Sequence, residues 1–194
     1  MADVGVRPAT DRDVDDIARV QLVTWRAAYA GLLPAHVLAD LTQAGVATAW
    51  ATAVTEPPTG RHRVLVAVEG PVVVGFAASE PSADDDLDPQ LTGAVTTLLV
   101  EPRWGRRGHG SRLLAAATDL LRADGSMTAV TWLPAADRAS RTFFSSAGWA
   151  PDGAGRTLEA GGRLLDEVRL HSSLRVEAAP GEAPQPAQPW WTAQ

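Results

Sequence analysis

Leu98-Leu99-Val100-Glu101-Pro102-Arg103-Trp104-Gly105-Arg106-Arg107-Gly108-His109-Gly110-Ser111-Arg112-Leu113-Leu114 is the stretch that decides how this chain folds. It begins as an apolar strand and passes through a glycine-arginine loop. It then resumes with the leucines of a helix, continued by Ala117, Leu120 and Leu121 at helical spacing. Glycines allow backbone N–H groups to come close to a ligand. A helix N-terminus adds unpaired donors and a partial positive charge. With Arg106 and Arg107 adding full charges, the segment is suited to a diphosphate. The competing reading is a surface turn with solvated arginines. A Walker loop is excluded, because it needs a Gly-Lys-Ser/Thr ending and the chain has no lysine. A dinucleotide fingerprint is excluded as well. It needs spaced glycines opening a parallel βαβ unit, and the runs before this loop read as antiparallel strands.

Outward from the loop, the chain reads as alternating short elements. Towards the N-terminus, residues 4–7 form a first strand. Thr10 and Asp13 are spaced as a capping box for a helix carrying Val14, Ile17, Ala18, Leu22 and Trp25 on one face. A break at 31–34 precedes a second helical stretch, 34–53. Valine-rich runs 64–69 and 72–79, joined at Gly70-Pro71, read as an antiparallel pair. An acidic loop, 81–92, leads to the strand 94–100. Beyond the loop and its helix come a strand at 128–133, a helix at 137–147 closed by Gly148, and a hairpin of 149–159 with 163–172. The order is β-α-α-β-β-β-α-β-α-β-β. That is an α/β (α+β) domain with a mixed, largely antiparallel sheet of about six to seven strands flanked by about four helices.

Composition narrows the classes of function. The chain has 194 residues, 45% of them hydrophobic, which suits one domain with a sizeable core. A net charge of −6 with no basic run argues against nucleic acid and anionic membranes, and favours a cationic acceptor if it favours any. With no cysteine there is no disulfide framework, no thiolate nucleophile and no cysteine-ligated metal. The histidines lack ligand spacing, so no metal is expected. Met1 to Asp16 lack an apolar h-region and no run reaches membrane-spanning length, so a cytoplasmic protein is expected. All 17 basic residues are arginine, and asparagine is absent, which points to a GC-rich bacterial genome. The domain is expected to span residues 1–176. A proline-rich tail, 177–194, ends in Trp190-Trp191, an aromatic pair suited to anchoring on its own domain or on a dimer mate.

Three segments together resemble the GNAT superfamily of acyl-CoA-dependent N-acetyltransferases. The quoted stretch is similar to that family's strand ending in Val-x-Pro followed by Arg/Gln-x-x-Gly-x-Gly/Ala. Asp137-Arg138-Ala139-Ser140-Arg141-Thr142-Phe143-Phe144-Ser145-Ser146-Ala147-Gly148-Trp149 is similar to its Asn-x-x-Ala-x-x-Phe-Tyr-x-x-x-Gly-Phe helix. Trp25-Arg26-Ala27-Ala28-Tyr29-Ala30-Gly31-Leu32-Leu33-Pro34 resembles its first-helix region. The resemblance implies acetyl-CoA as co-substrate and direct attack of an amine on the thioester. It also implies a cofactor-binding set of Leu98, Leu99, Val100, Gly105, Arg106, Arg107, Gly108, His109, Gly110, Ser111, Asp137, Ser140 and Phe144. Backbone groups of Leu98 and Val100 would hold the pantetheine arm and acyl carbonyl, those of residues 105–111 the pyrophosphate, and Asp137 and Ser140 would sit near the pantetheine. The expected partners are an acyl-CoA and a small amine or peptide, with a homodimer open to the chain. A CoA-binding domain without turnover is the alternative.

The chain departs from that family in two places that matter for chemistry. Phe144 stands where many relatives have a tyrosine acid, and phenylalanine has no proton to give. Ala94 stands where several have a glutamate base. Glu80 and Asp84, with Asp85, Asp86 and Asp88 beside them, are the candidate proton acceptors; the other reading of that loop is a solvated hairpin. His109 is read either as a phosphate or adenine contact or as an exposed side chain. Trp104, Trp132 and Trp149 are expected as core or cleft-wall aromatics.

Overall fold

A computed structural model describes residues 4–175; the tail from 177, with its tryptophan pair, lies outside the described residues. Seven strands form one sheet: β1 (Val4–Pro8), β2 (Arg63–Glu69), β3 (Val72–Pro81), β4 (Thr92–Val100), β5 (Thr128–Pro134), β6 (Ala150–Ala160) and β7 (Arg163–Ser173). They lie in the order β1-β2-β3-β4-β5-β7-β6. Only β4 and β5 run parallel; every other neighbouring pair is antiparallel. The expected mixed sheet is therefore present at the upper end of its strand count.

The valine runs of β2 and β3 are buried on both faces, and this is why they are continuous rather than alternating. Against one face pack α1 (Val14–Ala28) and α3 (Gln43–Thr55), which bring Ile17, Val20 and Trp50 onto Val64, Val66, Val73 and Phe76. Against the other packs α4 (His109–Ala123), whose Leu113, Leu114, Ala117 and Leu121 meet Leu65, Ala67, Val74 and Val95. α5 (Arg138–Ser146) joins that second face through Phe144, which shares the cluster with Trp149. No helix among the described residues is long and apolar enough to cross a membrane.

One helical stretch was expected at 34–53, and the structure divides it. α2 (Ala35–Asp40) ends at Leu41, whose backbone is extended at φ −73° and ψ 106°. Thr42 then caps α3, its hydroxyl oxygen accepting from the Gly45 N–H at 3.1 Å. A threonine at a cap competes with the helix it interrupts by offering its own oxygen to the backbone. Among the described residues five α-helices therefore flank the sheet, in keeping with the expected number of about four.

The entry to α1 is fixed by Asp13. Its buried carboxylate accepts from the Thr10 backbone N–H at 2.8 Å, from the Thr10 hydroxyl at 2.8 Å, and from the Arg7 guanidinium at 2.7 and 2.8 Å. The Arg7 bonds are the first cause holding the carboxyl down at about 2, with the Thr10 bonds adding to them. A carboxyl depressed in the folded state stabilises fully above its unfolded value, near 3.9, and loses that contribution as pH falls through the folded value. Asp13→Asn should therefore cost about 1–3 kcal/mol at pH 7. It should also flatten the acid limb of stability between pH 4 and pH 2 in urea titrations. An acid limb as steep as that of the wild type would show that Asp13 does not carry it.

Candidate functional site

β4 and β5 are paired only at Thr92↔Thr128, Gly93↔Ala129 and Ala94↔Val130. Both strands continue, to Val100 and Pro134, so past that point they part. β4 stays paired with β3 on its other edge, through an irregularity where Ala78 faces Thr97 and Ser79 faces Val95, leaving Thr96 as the extra residue of a bulge. The Glu101 N–H donates to the Val74 carbonyl at 2.9 Å. By the alternation of an antiparallel ladder, the backbones of Thr97, Leu99 and Glu101 then turn to β3, and those of Leu98 and Val100 turn to the opened edge.

The opening is a cleft of about 720 Å³ between the free edge of β4, the loop at 105–108 and one side of α5. Leu98 and Val100 line it; Leu99 does not, since its side chain packs with Phe76 on the opposite face of the sheet. After a single helical turn at Pro102–Trp104, Arg106 takes φ 61° and Gly108 takes φ 82°, and α4 begins at His109. The Arg112 N–H is bonded to the Gly108 carbonyl at 3.0 Å, whereas the amides of His109, Gly110 and Ser111 precede the helical ladder and are free for a ligand. Gly110 leaves space at the wall: a Cβ there would lie 3.4 Å from the Phe143 ring.

The charges at this end are sorted by their partners. Arg106 lines the cleft and has no ion pair among the described residues. Arg107 turns away. Its Nη1 lies 3.2 Å from Glu69 Oε1, and its guanidinium sits 4.9 Å from the centre of the Trp104 ring. His109 is buried, which corrects the exposed reading of it. Its Nε2 is 2.9 Å from Glu69 Oε2, and its Nδ1 is buried without a partner.

α5 forms the opposite wall. Its cap is Asp137, whose carboxylate accepts from the Ser140 N–H at 3.0 Å and from the Ser140 hydroxyl at 2.7 Å. Ser140 lines the cleft, while Asp137 is occupied in holding the helix end. Ala139, Thr142, Phe143 and Ser146 line it too, at the spacing of one helical face. Sequence reasoning passed over these residues, with Arg138, although the helical period of 137–147 was enough to find the wall; Trp104, expected as a core or cleft-wall aromatic, lines the cleft. Phe144 touches the cleft but is only 3% exposed, set edge-on to Phe143 and Trp149 at 5.3 and 5.1 Å.

No aspartate, glutamate or tyrosine of the described residues lines the cleft. The acidic loop is engaged elsewhere. The Arg169 guanidinium donates to Asp84 at 3.1 Å, Asp86 at 2.7 Å and Asp152 at 2.7 Å, and the Trp132 indole N–H donates to Asp84 at 3.0 Å. Trp132 also lies against two guanidinium groups, Arg156 at 4.3 Å and Arg169 at 5.4 Å. The loop is thus tied to β5, β6 and β7 through Asp84 and Asp86, while Asp85, Asp86 and Asp88 stay exposed, so the solvated hairpin describes most of it and Asp84 is paired rather than free. The Arg169 bonds hold the Asp86 carboxyl below its ordinary value. Glu80 remains outside this cluster. It faces Ala94 across β3 and β4, at the root of the opening, with its carboxylate 3.9 Å from His62 Nε2. Tyr29, the chain's only tyrosine, is pushed up to about 12, first by burial and then by the carboxylates of Asp137 and Glu167. It therefore keeps its proton throughout the neutral range.

Residues 25–149 match the model of the acetyltransferase (GNAT) family. No curated protein matches the sequence. Among solved structures, the chain is similar to the PaiA N-acetyltransferase of Thermoplasma acidophilum in complex with coenzyme A. The TM-score is 0.72 at 13% identity, over 88% of this chain and 99% of that one. It is also similar to YncA of Salmonella typhimurium with its cofactor acetyl-CoA, at TM-score 0.67 and 22% identity over 93% and 99%. A ribosomal-protein-alanine N-acetyltransferase from Brucella melitensis gives TM-score 0.68 at 20% identity over 87% and 98%.

The Arg169 cluster generates a stability test. Arg169→Ala would leave three carboxylates facing one another around the place of a buried guanidinium, and should lower Tm well beyond the loss of any single acidic partner. Asp84→Asn keeps an oxygen for both donors and should cost about 1 kcal/mol. Calorimetry on the two variants checks the order; equal losses would show that Arg169 is not the hub.

Proposed function

The chain belongs to the acetyltransferase (GNAT) family, and from that premise we propose that it holds acetyl-CoA in the cleft beside β4 and passes the acyl group directly to a primary amine of a small molecule or peptide. The observation that carries this reading is the early parting of β4 from β5. It frees the backbone edge of Leu98 and Val100 along a cleft that ends on the N-terminus of α4. An extended arm bearing amides can add to such an edge as a further strand. The free amides of residues 109–111 and the Arg106 guanidinium suit a diphosphate. The bare Cα of Gly110, facing Phe143, fits close approach of such a group.

Acetyl-CoA supplies the activated acyl carbon at its thioester. What the chain contributes is chiefly orientation, which can account for ~7–11 kcal/mol of barrier lowering. A thiol leaving group, with pKa about 8.5, needs no strong acid. The cleft accordingly offers none, since Phe144 is packed between Phe143 and Trp149. The incoming amine must lose a proton, and we assign its removal, through water, to Glu80, a reading supported by its register opposite Ala94, where β4 and β5 part, and by its standing outside the Arg169 cluster.

A second reading, binding of acyl-CoA without turnover, is favoured by one observation: no carboxylate or phenol lines the cleft among the described residues. Thiol release separates the two readings. The chain has no cysteine, so a thiol reagent reports only free CoA. Amine-dependent release above the rate of thioester hydrolysis, across a panel of mono- and polyamines and peptides, is expected. Tight binding with no release from any amine would favour the second reading.

The cofactor claim has its own test. A ligand at a hundred times its Kd stabilises the fold by ~2.7 kcal/mol. Acetyl-CoA and CoA should therefore raise Tm, and ATP should not. Gly108→Val places a β-branched residue at φ 82°, and Gly110→Val drives one towards Phe143. Both should weaken CoA binding at least tenfold while the protein stays folded. Unchanged affinity in both would place the diphosphate elsewhere.

A further inference from the structure

A single carboxylate outside the cleft holds two residues of the anion loop. Glu69 is the last residue of β2; its Oε1 lies 3.2 Å from Arg107 Nη1 and its Oε2 2.9 Å from His109 Nε2. These two contacts fall on either side of Gly108, the residue with φ 82°. The carboxylate therefore spans the left-handed turn that launches α4. The His109 side chain is 1% exposed, so the imidazole is lodged between the helix and the sheet rather than resting on the surface.

We propose that Glu69 is a positioning residue for the cofactor loop: by gripping Arg107 and His109 it fixes the direction of the first amides of α4 and leaves Arg106 as the loop's cation facing the cleft. This rests on the reading above, that the loop holds a diphosphate.

Two physical arguments carry the proposal. The first is the sign of the charge. A carboxylate this close to an anion site opposes anion binding by Coulomb repulsion. Its presence is accounted for by geometry, because it holds the helix start against fraying and turns Arg107 onto Trp104. The second is the state of His109. Its Nδ1 is already buried without a partner. Without Glu69, Nε2 would join it, and a buried ring with neither nitrogen bonded cannot stay buried at low cost. The first turn of α4 would then have to open towards water, and its amides would leave the orientation a diphosphate needs.

The two accounts of Glu69 predict opposite outcomes. If it acts only as a charge, Glu69→Gln binds CoA more tightly than the wild type. If it positions the loop, Glu69→Gln raises the Kd for CoA several-fold and Glu69→Ala raises it tenfold or more, both measured by calorimetry on the full chain. Amide hydrogen exchange of the unliganded Glu69→Gln protein gives a readout free of any ligand. The amides of 112–114, the first bonded into the helical ladder, should exchange at least tenfold faster, while those of β2 and β3 keep their protection. In steady state, KM for acetyl-CoA should rise with kcat nearly unchanged. CoA binding as tight as wild type in both variants, or unchanged exchange at 112–114, overturns the proposal. Failure of the wild-type chain itself to bind CoA overturns the reading beneath it, and this one with it.

Discussion

Everything in the site depends on two parallel strands that stop pairing after three residues. A strand with a free edge inside a sheet carries unpaired N–H and C=O groups, which are costly to bury and are normally matched by a neighbour. Here β3 continues to match β4 on one side while β5 withdraws on the other. The parting creates the cleft and also defines its chemistry. The wall is a row of peptide groups that can take another extended chain, and the end of the row runs into a helix N-terminus. α5 closes the far side with Ala139, Phe143 and Phe144 alternating with the hydroxyls of Ser140, Thr142 and Ser146.

The loop and its setting were legible in the sequence because they are local. The glycines, the arginines and the leucines of α4 follow one another within a few residues, and local signals survive without knowledge of the rest. The strands on either side were legible for the same reason, from valine runs and turn residues. Where the reading missed, a distant partner decided. Nothing near His109 shows that Glu69, on another strand, will draw its ring inside. Nothing near Asp84 shows that Arg169 is waiting for it on β7. Leu99 was grouped with its neighbours, but the ladder with β3 turns every second residue away from the cleft, and that parity was fixed only once the partner strand was known.

The division of 34–53 into two helices is a different kind of miss. Leu41 and Thr42 are tolerable inside a helix by propensity alone, and helical periodicity runs through them. The break comes from a threonine side chain that does better as a cap than as an interior residue, with Val46 then buried against Ala18 and Leu22. The balance is set by what α3 packs upon.

The sheet is in effect two plates joined along a short seam. One plate holds β1 to β4, the other β5, β7 and β6, and the backbone seam between them is the three-residue ladder at Thr92–Ala94. The Thr131 hydroxyl, bonded to the Val95 carbonyl at 2.8 Å, extends the seam by one step. The Arg169 cluster rivets the 81–92 loop of the first plate to the second. Because the rivet is built on arginine, its cation stays charged through the neutral range. Any change in the width of the cleft must then be a rotation about this riveted end. The mouth beside α4 is where a small angle becomes a large displacement, and the root beside Ala94 would keep its dimensions under such a rotation.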